Sequence, residues 1–307
     1  MILAEVVRSG FTESVHHGSV VVLDAAGSVL AATGDVDSPV FPRSSNKPLQ
    51  TVGMLRSGLR PRAEADLALI SGSHFGEPFH VQRATAILAA AGLTPAALRC
   101  PESLPLNEPA RDALLRVGGG PARIYMNCSG KHAGMLATCV VNDWPLDSYR
   151  EAKHPLQVAI AAAVAELAGE PIAATGVDGC GAPVFAFSLT ALARSFQRLA
   201  EAAPGSDERR VADEMRAHPE LVAGTGADDT VLMNGVPGLV SKGGAEGVQA
   251  VAVPGVGAVA LKIHDGAMRA RMPVLRSALG RLGIESPVPP VEVLGGGEPV
   301  GEVRATW

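Results

Sequence analysis

Aromatic residues are scarce in this sequence of 307 residues, at 4% of the composition, and an excess of positive charge is lacking too. The formal net charge is -5, with 31 acidic residues against 26 basic ones. Nucleic-acid-binding proteins need a basic surface and, for single strands, aromatic side chains that stack on bases. We therefore expect no nucleic-acid partner. The 47% hydrophobic content is that of a globular protein with one large domain or two interlocked ones.

Long apolar runs are also absent from the sequence. The most apolar predicted helix, residues 158–168, is too short to span a bilayer and carries Glu166. Residues 1–8 have neither the basic flank nor the apolar core of a signal peptide. We expect a cytoplasmic protein without a membrane partner.

Cysteine is rare, and its spacing excludes the common Cys-x-x-Cys motifs. The four cysteines are Cys100, Cys128, Cys139 and Cys180. A disulfide framework is not expected, which leaves free thiols, core packing or a metal site. Isolated cysteines are most often buried thiols. Cys128 and Cys180 both lie in glycine-rich segments, however, and Lys131 or His132 could complete a metal site with them.

Lysine is the least used of the charged residues. Only five of the 26 basic residues are lysine: Lys47, Lys131, Lys153, Lys242 and Lys262. Arginine stays protonated near neutral pH, whereas a buried lysine can give up its proton. The few lysines are therefore good candidates for chemistry.

One lysine belongs to a Ser-x-x-Lys motif at a predicted helix start. Residues 41–50 read as the end of an extended segment, a break and a helix, with Ser44 or Ser45 as the cap. Ser44 and Lys47 would then share a helix face, roughly 5–6 Å apart at Cβ. A desolvated lysine can activate a serine hydroxyl as a nucleophile, and we expect Lys47 to be buried against Ser44. Taken alone, the motif also fits a capped surface helix with an extended lysine.

A second lysine is followed by two glycines in a predicted strand, at residues 239–244. Such a strand offers a charged group beside backbone N–H groups that can face a substrate oxygen. A Ser-x-x-Lys helix start together with a late Lys-Gly strand is similar to the serine β-lactamases. No Gly-x-Ser-x-Gly elbow and no phosphate-binding loop are present.

Strand patterns concentrate at the two ends of the chain and helical patterns between them. Residues 19–24 and 28–32 predict a hairpin, and further strands are expected at 248–253, 257–263 and 300–305. Long helices are expected at residues 155–168, 183–202, 207–217 and 266–282. The predicted fold is of the α/β class (α+β type), with an antiparallel sheet built from both termini. Residues 1–44 and 235–307 would form this sheet domain, and residues 45–234 a large helical domain.

Five motifs in order along the chain resemble the asparaginase II family, the Rhizobium etli type of L-asparaginase. They are Arg-Ser-Ser-Asn-Lys-Pro (43–48), Ser-Gly-Ser-His (71–74), Asn-Cys-Ser-Gly-Lys-His-Ala-Gly-Met-Leu (127–136), Val-Asp-Gly-Cys-Gly-Ala-Pro (177–183) and Ser-Lys-Gly-Gly-Ala-Glu-Gly (241–247). The resemblance implies a fold similar to serine β-lactamases and glutaminases, with the active site between the two domains.

The resemblance also implies roles for individual residues. Ser44 with Lys47, and Ser73 with Lys242, correspond to the two catalytic Ser-Lys pairs. The three zinc ligands that it implies are Cys128, Lys131 and Cys180. Substrate contacts are expected from Arg43, His74, Asp178 and Gly243. A homodimer is implied as well.

These assignments predict an L-asparaginase that hydrolyses L-asparagine to L-aspartate and ammonia, with a zinc ion assisting substrate binding. Two other functions stay open on the sequence. One is a glutaminase or β-lactam-type serine amidohydrolase on the same fold. The other is a zinc-dependent protein that binds a small amino acid without hydrolysing it.

Overall fold

The computed structural model describes all residues from 1 to 307, and the chain divides into two compact units. The first unit consists of Met1–Ser45, Phe187–Glu201 and Val231–Trp307. The second consists of Asn46–Ala186 and Ala202–Thr230. No helix of the structure combines the length and the apolar character needed to cross a membrane.

The chain contains strands and helices in a mixed order, which confirms the expected α/β class. The strands are β1 (Ile2–Arg8), β2 (Phe11–Asp24), β3 (Val29–Thr33), β4 (Pro39–Val40), β5 (Ala174–Val177), β6 (Pro183–Ser188), β7 (Val240–Gly244), β8 (Val248–Val253), β9 (Gly257–Ile263), β10 (Val291–Gly295) and β11 (Glu298–Ala305). The helices are α1 (Lys47–Arg56), α2 (Asp66–Ile70), α3 (Pro78–Ala90), α4 (Glu108–Arg116), α5 (Ser129–Val141), α6 (Pro155–Ala168), α7 (Leu189–Glu201), α8 (Asp207–Ala217), α9 (Pro219–Val222), α10 (Asp228–Gly235) and α11 (Arg271–Arg281).

An antiparallel sheet of eight strands is the centre of the first unit. Its order is β10-β11-β1-β2-β9-β8-β7, and β3 pairs with the second half of β2. The predicted hairpin of β2 and β3 is therefore confirmed, as is the sheet built from both ends of the chain. Strand β1 pairs with β11, with Ala4 opposite Ala305. Every residue of β8 is buried, so both faces of the sheet are covered there.

Helix α7 packs on this sheet, against β2, β8 and β9. The prediction of one helix over residues 183–202 is wrong for the first part of this range. Its first six residues form strand β6, and the helix that follows belongs to the sheet unit. The strand is buried along its whole length, so its apolar residues fill the core on both sides and show no helical period.

The second unit is mainly helical, and small residues let its helices approach closely. A Cβ atom at Gly53 of α1 would lie 3.0 Å from the Cα of Ile160 in α6. A Cβ at Gly130 of α5 would lie 2.7 Å from Leu69 of α2. The glycines around the Cys128 motif thus serve helix packing, with α5 directly on α2.

The start of α1 differs from the prediction. Residues Arg43–Asn46 form a 3-10 turn, and the α-helix begins at Lys47 with Asn46 as its N-cap. Neither Ser44 nor Ser45 caps the helix. The Ser45 hydroxyl instead donates a hydrogen bond back to the Pro42 carbonyl at 2.6 Å.

Candidate active site

Lys47, the first residue of α1, is buried, as the sequence predicted, with only 1% of its surface exposed. Its Nζ donates hydrogen bonds to the Gly72 carbonyl at 2.6 Å and to the Ser73 hydroxyl at 2.9 Å. Both contacts join the start of α1 to the segment that carries Ser73.

Ser73 is held rigidly but keeps a partly exposed side chain. Its backbone N–H donates to the Val222 carbonyl at 2.7 Å. The preceding residue, Gly72, has no room for a side chain, because a Cβ atom would lie 2.6 Å from that same carbonyl. Ser73 is therefore a half-buried residue whose hydroxyl is in contact with a buried amine.

His74, from which a substrate contact is expected, lies in the buried interior. The side chain is fully buried, and Nε2 lies 2.8 Å from the Ser129 hydroxyl. Because Ser129 donates its own proton to the Ile124 carbonyl, His74 donates from Nε2. Its Nδ1 accepts from the Gly76 N–H at 3.2 Å. Burial lowers the pKa of His74 well below its ordinary value, so the ring is a neutral support for the segment that carries Ser73.

Ser44 lies in the 3-10 turn of the first unit, half-buried, three residues before Lys47 in the chain. Its neighbour Ser45 is fully buried, and the hydroxyl of Ser45 is committed to a backbone carbonyl. Of the two serines in the motif, Ser44 is thus the one with a hydroxyl available for chemistry.

Strand β7 lies against this turn within the first unit. A Cβ atom at Gly244 would lie 2.6 Å from the Pro42 carbonyl and 3.2 Å from the Ser45 nitrogen. Since side chains alternate along a strand, Lys242 is on the same face as Gly244, the face toward the turn that holds Ser44. Lys242 is buried, and its Nζ donates to the Gly243 carbonyl at 2.6 Å.

Gly243 points to the opposite face of β7. A Cβ atom there would lie 2.2 Å from a guanidinium nitrogen of Arg271, which is buried at the start of α11. The glycine therefore makes room for a buried cation beside the Lys-Gly-Gly strand.

Arg43 adopts a left-handed backbone conformation, with φ of 53°, which is rare for a residue with a side chain. Its guanidinium is 3.8 Å from the Glu246 carboxylate, which is mostly exposed. A pair of this kind is weak in water. Such backbone strain concentrates at functional sites.

Each unit therefore brings one serine and one lysine towards each other within that unit. The second unit pairs Ser73 with Lys47, and the first places Lys242 on the face of β7 toward the Ser44 turn. The resemblance implied the pairs Ser44–Lys47 and Ser73–Lys242. A buried amine beside an accessible hydroxyl can act in acyl transfer by taking the proton of the attacking oxygen.

The three residues of the implied metal site meet inside the second unit, and all three are buried. The Lys131 Nζ is 3.3 Å from the Cys180 sulfur. The Cys128 thiol donates a hydrogen bond to the Asn127 side-chain oxygen at 3.2 Å. The interaction with Cys128, together with the Lys131 charge, lowers the pKa of Cys180 far below its ordinary value. The interaction with Cys180, followed by burial, raises the pKa of Cys128. Burial lowers the pKa of Lys131, but the sulfur charges outweigh it and the net shift is upward.

This donor set fits a zinc ion. No group of three or more His, Cys, Asp or Glu side chains is placed to hold a metal. Two sulfurs and a lysine nitrogen do converge, and zinc accepts sulfur and nitrogen ligands in a tetrahedral set. Cys100 is not part of this set, since its thiol donates to the Arg123 carbonyl and burial raises its pKa to about 11.

Asp178 is in the same loop as Cys180, between β5 and β6. Its backbone N–H donates to the Ala182 carbonyl, and its carboxylate accepts from the Gly179 N–H, both at 2.9 Å. The carboxylate is half-exposed and adds to the negative charge that acts on Lys131. It is therefore in the neighbourhood of Lys131 and Cys180.

A contact between Glu77 and Thr225, close to Ser73, was not predicted from the sequence. The Glu77 carboxylate accepts hydrogen bonds from the backbone N–H of Thr225 at 2.8 Å and from its hydroxyl at 2.9 Å. This clamp ties the segment after Ser73 to residues 224–225. A Glu directly before the helix-starting Pro78 is the only sequence signal for it.

Comparison with known proteins identifies the family. A search of curated sequences gave no match. Among solved structures, a β-lactamase from Mycobacterium bovis is 16% identical, with a TM-score of 0.44, and 87% of this chain and 95% of that one are covered. The hydrolase EstCE1 is 13% identical, with a TM-score of 0.47 and coverage of 86% and 93%. Simvastatin synthase from Aspergillus terreus is 13% identical, with a TM-score of 0.40 and coverage of 86% and 90%.

The family model described as L-asparaginase II matches residues 4–305, nearly the whole chain. All five motifs of the sequence analysis lie within this match. The family supports an amidohydrolase, and the buried lysine that contacts Ser73 is suited to that chemistry. The chain belongs to the L-asparaginase II family.

Proposed function

We propose that the chain is an L-asparaginase that hydrolyses L-asparagine to L-aspartate and ammonia. The observation that carries the proposal is the buried Lys47 amine in hydrogen-bond contact with the Ser73 hydroxyl. The family match supports the substrate. We also propose a homodimer, on the strength of the family resemblance, and a cytoplasmic location.

In the proposed reaction the Ser44 oxygen attacks the side-chain amide carbon, and Lys47 takes its proton. Lys242 and Ser73 pass a proton to the leaving nitrogen, which departs as ammonia. Water then hydrolyses the ester on Ser44 to give aspartate and the free serine. The Gly243 N–H is a candidate to stabilise the negative charge on the amide oxygen. Arg43 contacts the substrate.

Zinc is part of the proposal as a binding group. Cys128, Lys131 and Cys180 would hold it, and when bound it would supply a Lewis acid for the carboxylate end of the substrate. Asp178 would bind the α-amino group. The three ligands all belong to the second unit, whose buried sulfurs and amine already converge.

A second assignment of the nucleophile has its own support. Ser73 is the serine in direct contact with the Lys47 amine, at 2.9 Å, and the residue is half-buried. If Ser73 were the acylated residue, the same lysine would act as its base. The overall reaction and its products would be unchanged.

The function is tested by ammonia release from L-asparagine and from L-glutamine, and by hydrolysis of a chromogenic β-lactam. We expect asparagine to be the preferred substrate. Preference for glutamine or the β-lactam would support the other amidohydrolase assignment. Tight asparagine binding without ammonia release would support a binding protein instead.

The nucleophile is tested with Ser44→Ala, with Ser45→Ala as the matched neighbour. We expect Ser44→Ala to lose at least about 10³-fold in kcat, as removal of a nucleophile does in other serine hydrolases. Trapping of the acyl group on Ser73, with full activity in Ser44→Ala, would transfer the role to Ser73.

A further inference from the structure

Glu77 is a charged residue close to Ser73 to which the proposed reaction gives no role. Its Oε1 accepts a hydrogen bond from the backbone N–H of Thr225 at 2.8 Å, and its Oε2 accepts from the Thr225 hydroxyl at 2.9 Å. Glu77 is half-buried and Thr225 is exposed. Because both carboxylate oxygens are used by the same residue, the clamp fixes the direction of the contact as well as its length.

The clamp is the last of three contacts between the segment that carries Ser73 and the segment before α10. The backbone N–H groups of Ser73 and Phe75 donate to the carbonyls of Val222 and Ala223, both at 2.7 Å. The three contacts start from residues 73, 75 and 77, and their partners advance in the same direction, from 222 to 225. The two segments therefore run side by side from Ser73 to the clamp.

The space between the two segments is filled. A Cβ atom at Gly224 would lie 2.8 Å from Oε1 of Glu77 and 3.0 Å from the Cβ of Phe75. On its other side, the Phe75 carbonyl accepts from the Asn107 N–H at 2.8 Å. A displacement of residues 224–225 is therefore passed on to the segment of Ser73, since close packing leaves no gap to absorb it.

The position of this segment matters because of the contact between Ser73 and Lys47. The Ser73 hydroxyl lies 2.9 Å from the Lys47 amine, and a proton can pass between them only near this distance. A displacement of about 1 Å can reduce the rate of a reaction by about 10²-fold. The requirement is the same whether Ser73 relays a proton or is itself the nucleophile.

We propose that Glu77 and Thr225 are positioning residues of the reaction. Their contact holds residues 222–225 against residues 73–77, and in this way it keeps the Ser73 hydroxyl next to the Lys47 amine. Neither residue contacts the substrate. The effect on the rate rests on the proposed function, whereas the restraint on the Ser73 segment is a property of the folded chain alone.

A positioning role and a purely structural role predict different results. The clamp lies at the surface, where a substitution changes the stability of the whole chain little. If the clamp served stability only, every folded variant would therefore have wild-type activity. If it positions Ser73, activity falls although the variants stay folded.

The first measurement is the rate of ammonia release from L-asparagine in Glu77→Ala, Thr225→Val and Thr225→Ser, with urea unfolding of the same preparations. We expect kcat to fall by about 10–100-fold in Glu77→Ala, which loses both hydrogen bonds. Thr225→Val keeps the backbone bond, so a loss of at least about 3-fold is expected there. Thr225→Ser keeps the hydroxyl and should stay within about 2-fold of wild type. The two Thr225 variants leave the start of α3 untouched.

The pattern of the kinetic constants separates the alternatives. KM should change less than kcat, because the clamp does not contact the substrate. The Glu77→Ala, Thr225→Val double variant should lose no more than Glu77→Ala, since both changes remove the same contact. Wild-type kcat in Glu77→Ala, additive losses in the double variant, or a rise in KM with kcat unchanged would each overturn the proposal.

Glu64→Ala is the matched control for removal of a carboxylate. Glu64 also belongs to the second unit, and its two oxygens likewise accept from a single residue, Arg210, at 3.1 and 3.2 Å. This pair connects to α8 and not to the segment of Ser73. The kcat of Glu64→Ala should therefore stay near that of wild type.

The second measurement does not depend on activity. Hydrogen exchange of the full chain, followed by mass spectrometry, reports the amides of residues 73–76, whose sequence is the same in wild type, Glu77→Ala and Thr225→Val. We expect faster exchange there in both variants, because the N–H groups of Ser73 and Phe75 are released more often, and unchanged exchange in α6. Unchanged exchange over residues 73–76 would overturn the proposal. If wild type releases no ammonia, the proposed function fails, and the exchange rates alone decide whether the clamp restrains Ser73.

Discussion

Replacement of Lys47 by methionine tests the proposed base with little change in volume. The methionine fills the buried space but has no amine. The Gly72 carbonyl, which accepts from Nζ at 2.6 Å, and the Ser73 hydroxyl, at 2.9 Å, both lose their donor. A buried acceptor left without a partner costs about 1–3 kcal/mol, so we expect the free energy of unfolding to fall by about this amount.

The expected effect on the reaction is larger than the effect on stability. A positioned general base contributes about 10²–10⁴-fold to the rate. This factor corresponds to about 3–5 kcal/mol of transition-state stabilisation, at about 1.4 kcal/mol for each tenfold change. We therefore expect kcat for ammonia release from asparagine to fall by at least about 10²-fold, at temperatures where the variant is fully folded.

The assay combines coupled detection of ammonia with urea unfolding of the same preparations. Lys153→Met is the matched control, because Lys153 is exposed and outside the proposed site. Its activity and stability should stay near those of wild type. Wild-type kcat in a folded Lys47→Met variant would refute the reasoning, since an amine that can be removed without effect is not the base.

Three further changes have expected outcomes of their own. Gly181, which directly follows Cys180, has φ of 83°, and a Cβ atom there would lie 2.1 Å from the Arg150 guanidinium. Gly181→Ala should therefore lower the melting temperature and, by displacing Cys180, weaken zinc binding in a chelator competition. Because the pKa values of Cys128 and Lys131 are raised, both groups hold protons that zinc must displace. Apparent zinc affinity should then rise with pH, and calorimetry in buffers of different ionisation enthalpy should detect proton release, whereas equal affinity at about pH 6 and about pH 8 would contradict this. Asp66 is fully buried and 2.8 Å from a partly exposed arginine, so Asp66→Ala should reduce the free energy of unfolding by about 1–3 kcal/mol, measured in urea, and an unchanged midpoint would contradict the role of this pair.

Some elements could be predicted closely from the sequence because their ends carry a strong local signal. Helix α6 begins at Pro155 and ends before Gly169, which has the left-handed conformation expected of a helix end. Helix α3 begins at Pro78 in the same way. These helix boundaries are set by proline and glycine, whose backbone preferences do not depend on tertiary contacts.

Other elements depend on contacts that the sequence does not reveal. Strand β6 was predicted as helix, because a run of apolar residues buried on both faces has no period that identifies it. Strand β10 was not predicted at all, and the helix expected over 266–282 begins only at Arg271. Here pairing with β11 and packing on the sheet decide the conformation.

In the candidate site, too, some features could be predicted from local motifs and others depend on tertiary packing. Burial of Lys47 and the approach of Lys131 to Cys180 followed from motifs. The contact of Lys47 with Ser73 did not, because it joins two segments brought together only by the packing of the second unit. The neutral, fully engaged state of His74 likewise depends on Ser129, far away in the sequence.

The pairing of β1 with β11 has a consequence for the order in which the protein folds. These strands stand at opposite ends of the chain, so their ladder closes a loop of nearly the whole sequence. Contacts over such separations form slowly, since much chain entropy is lost before they stabilise anything. Most of the second unit is one continuous segment, Asn46–Ala186. During synthesis the helices around Lys47 and the sulfur site can therefore fold before β11 is available to pair with β1. The turn that holds Ser44 can pack against β7 only after that strand has been made, so its contacts form late.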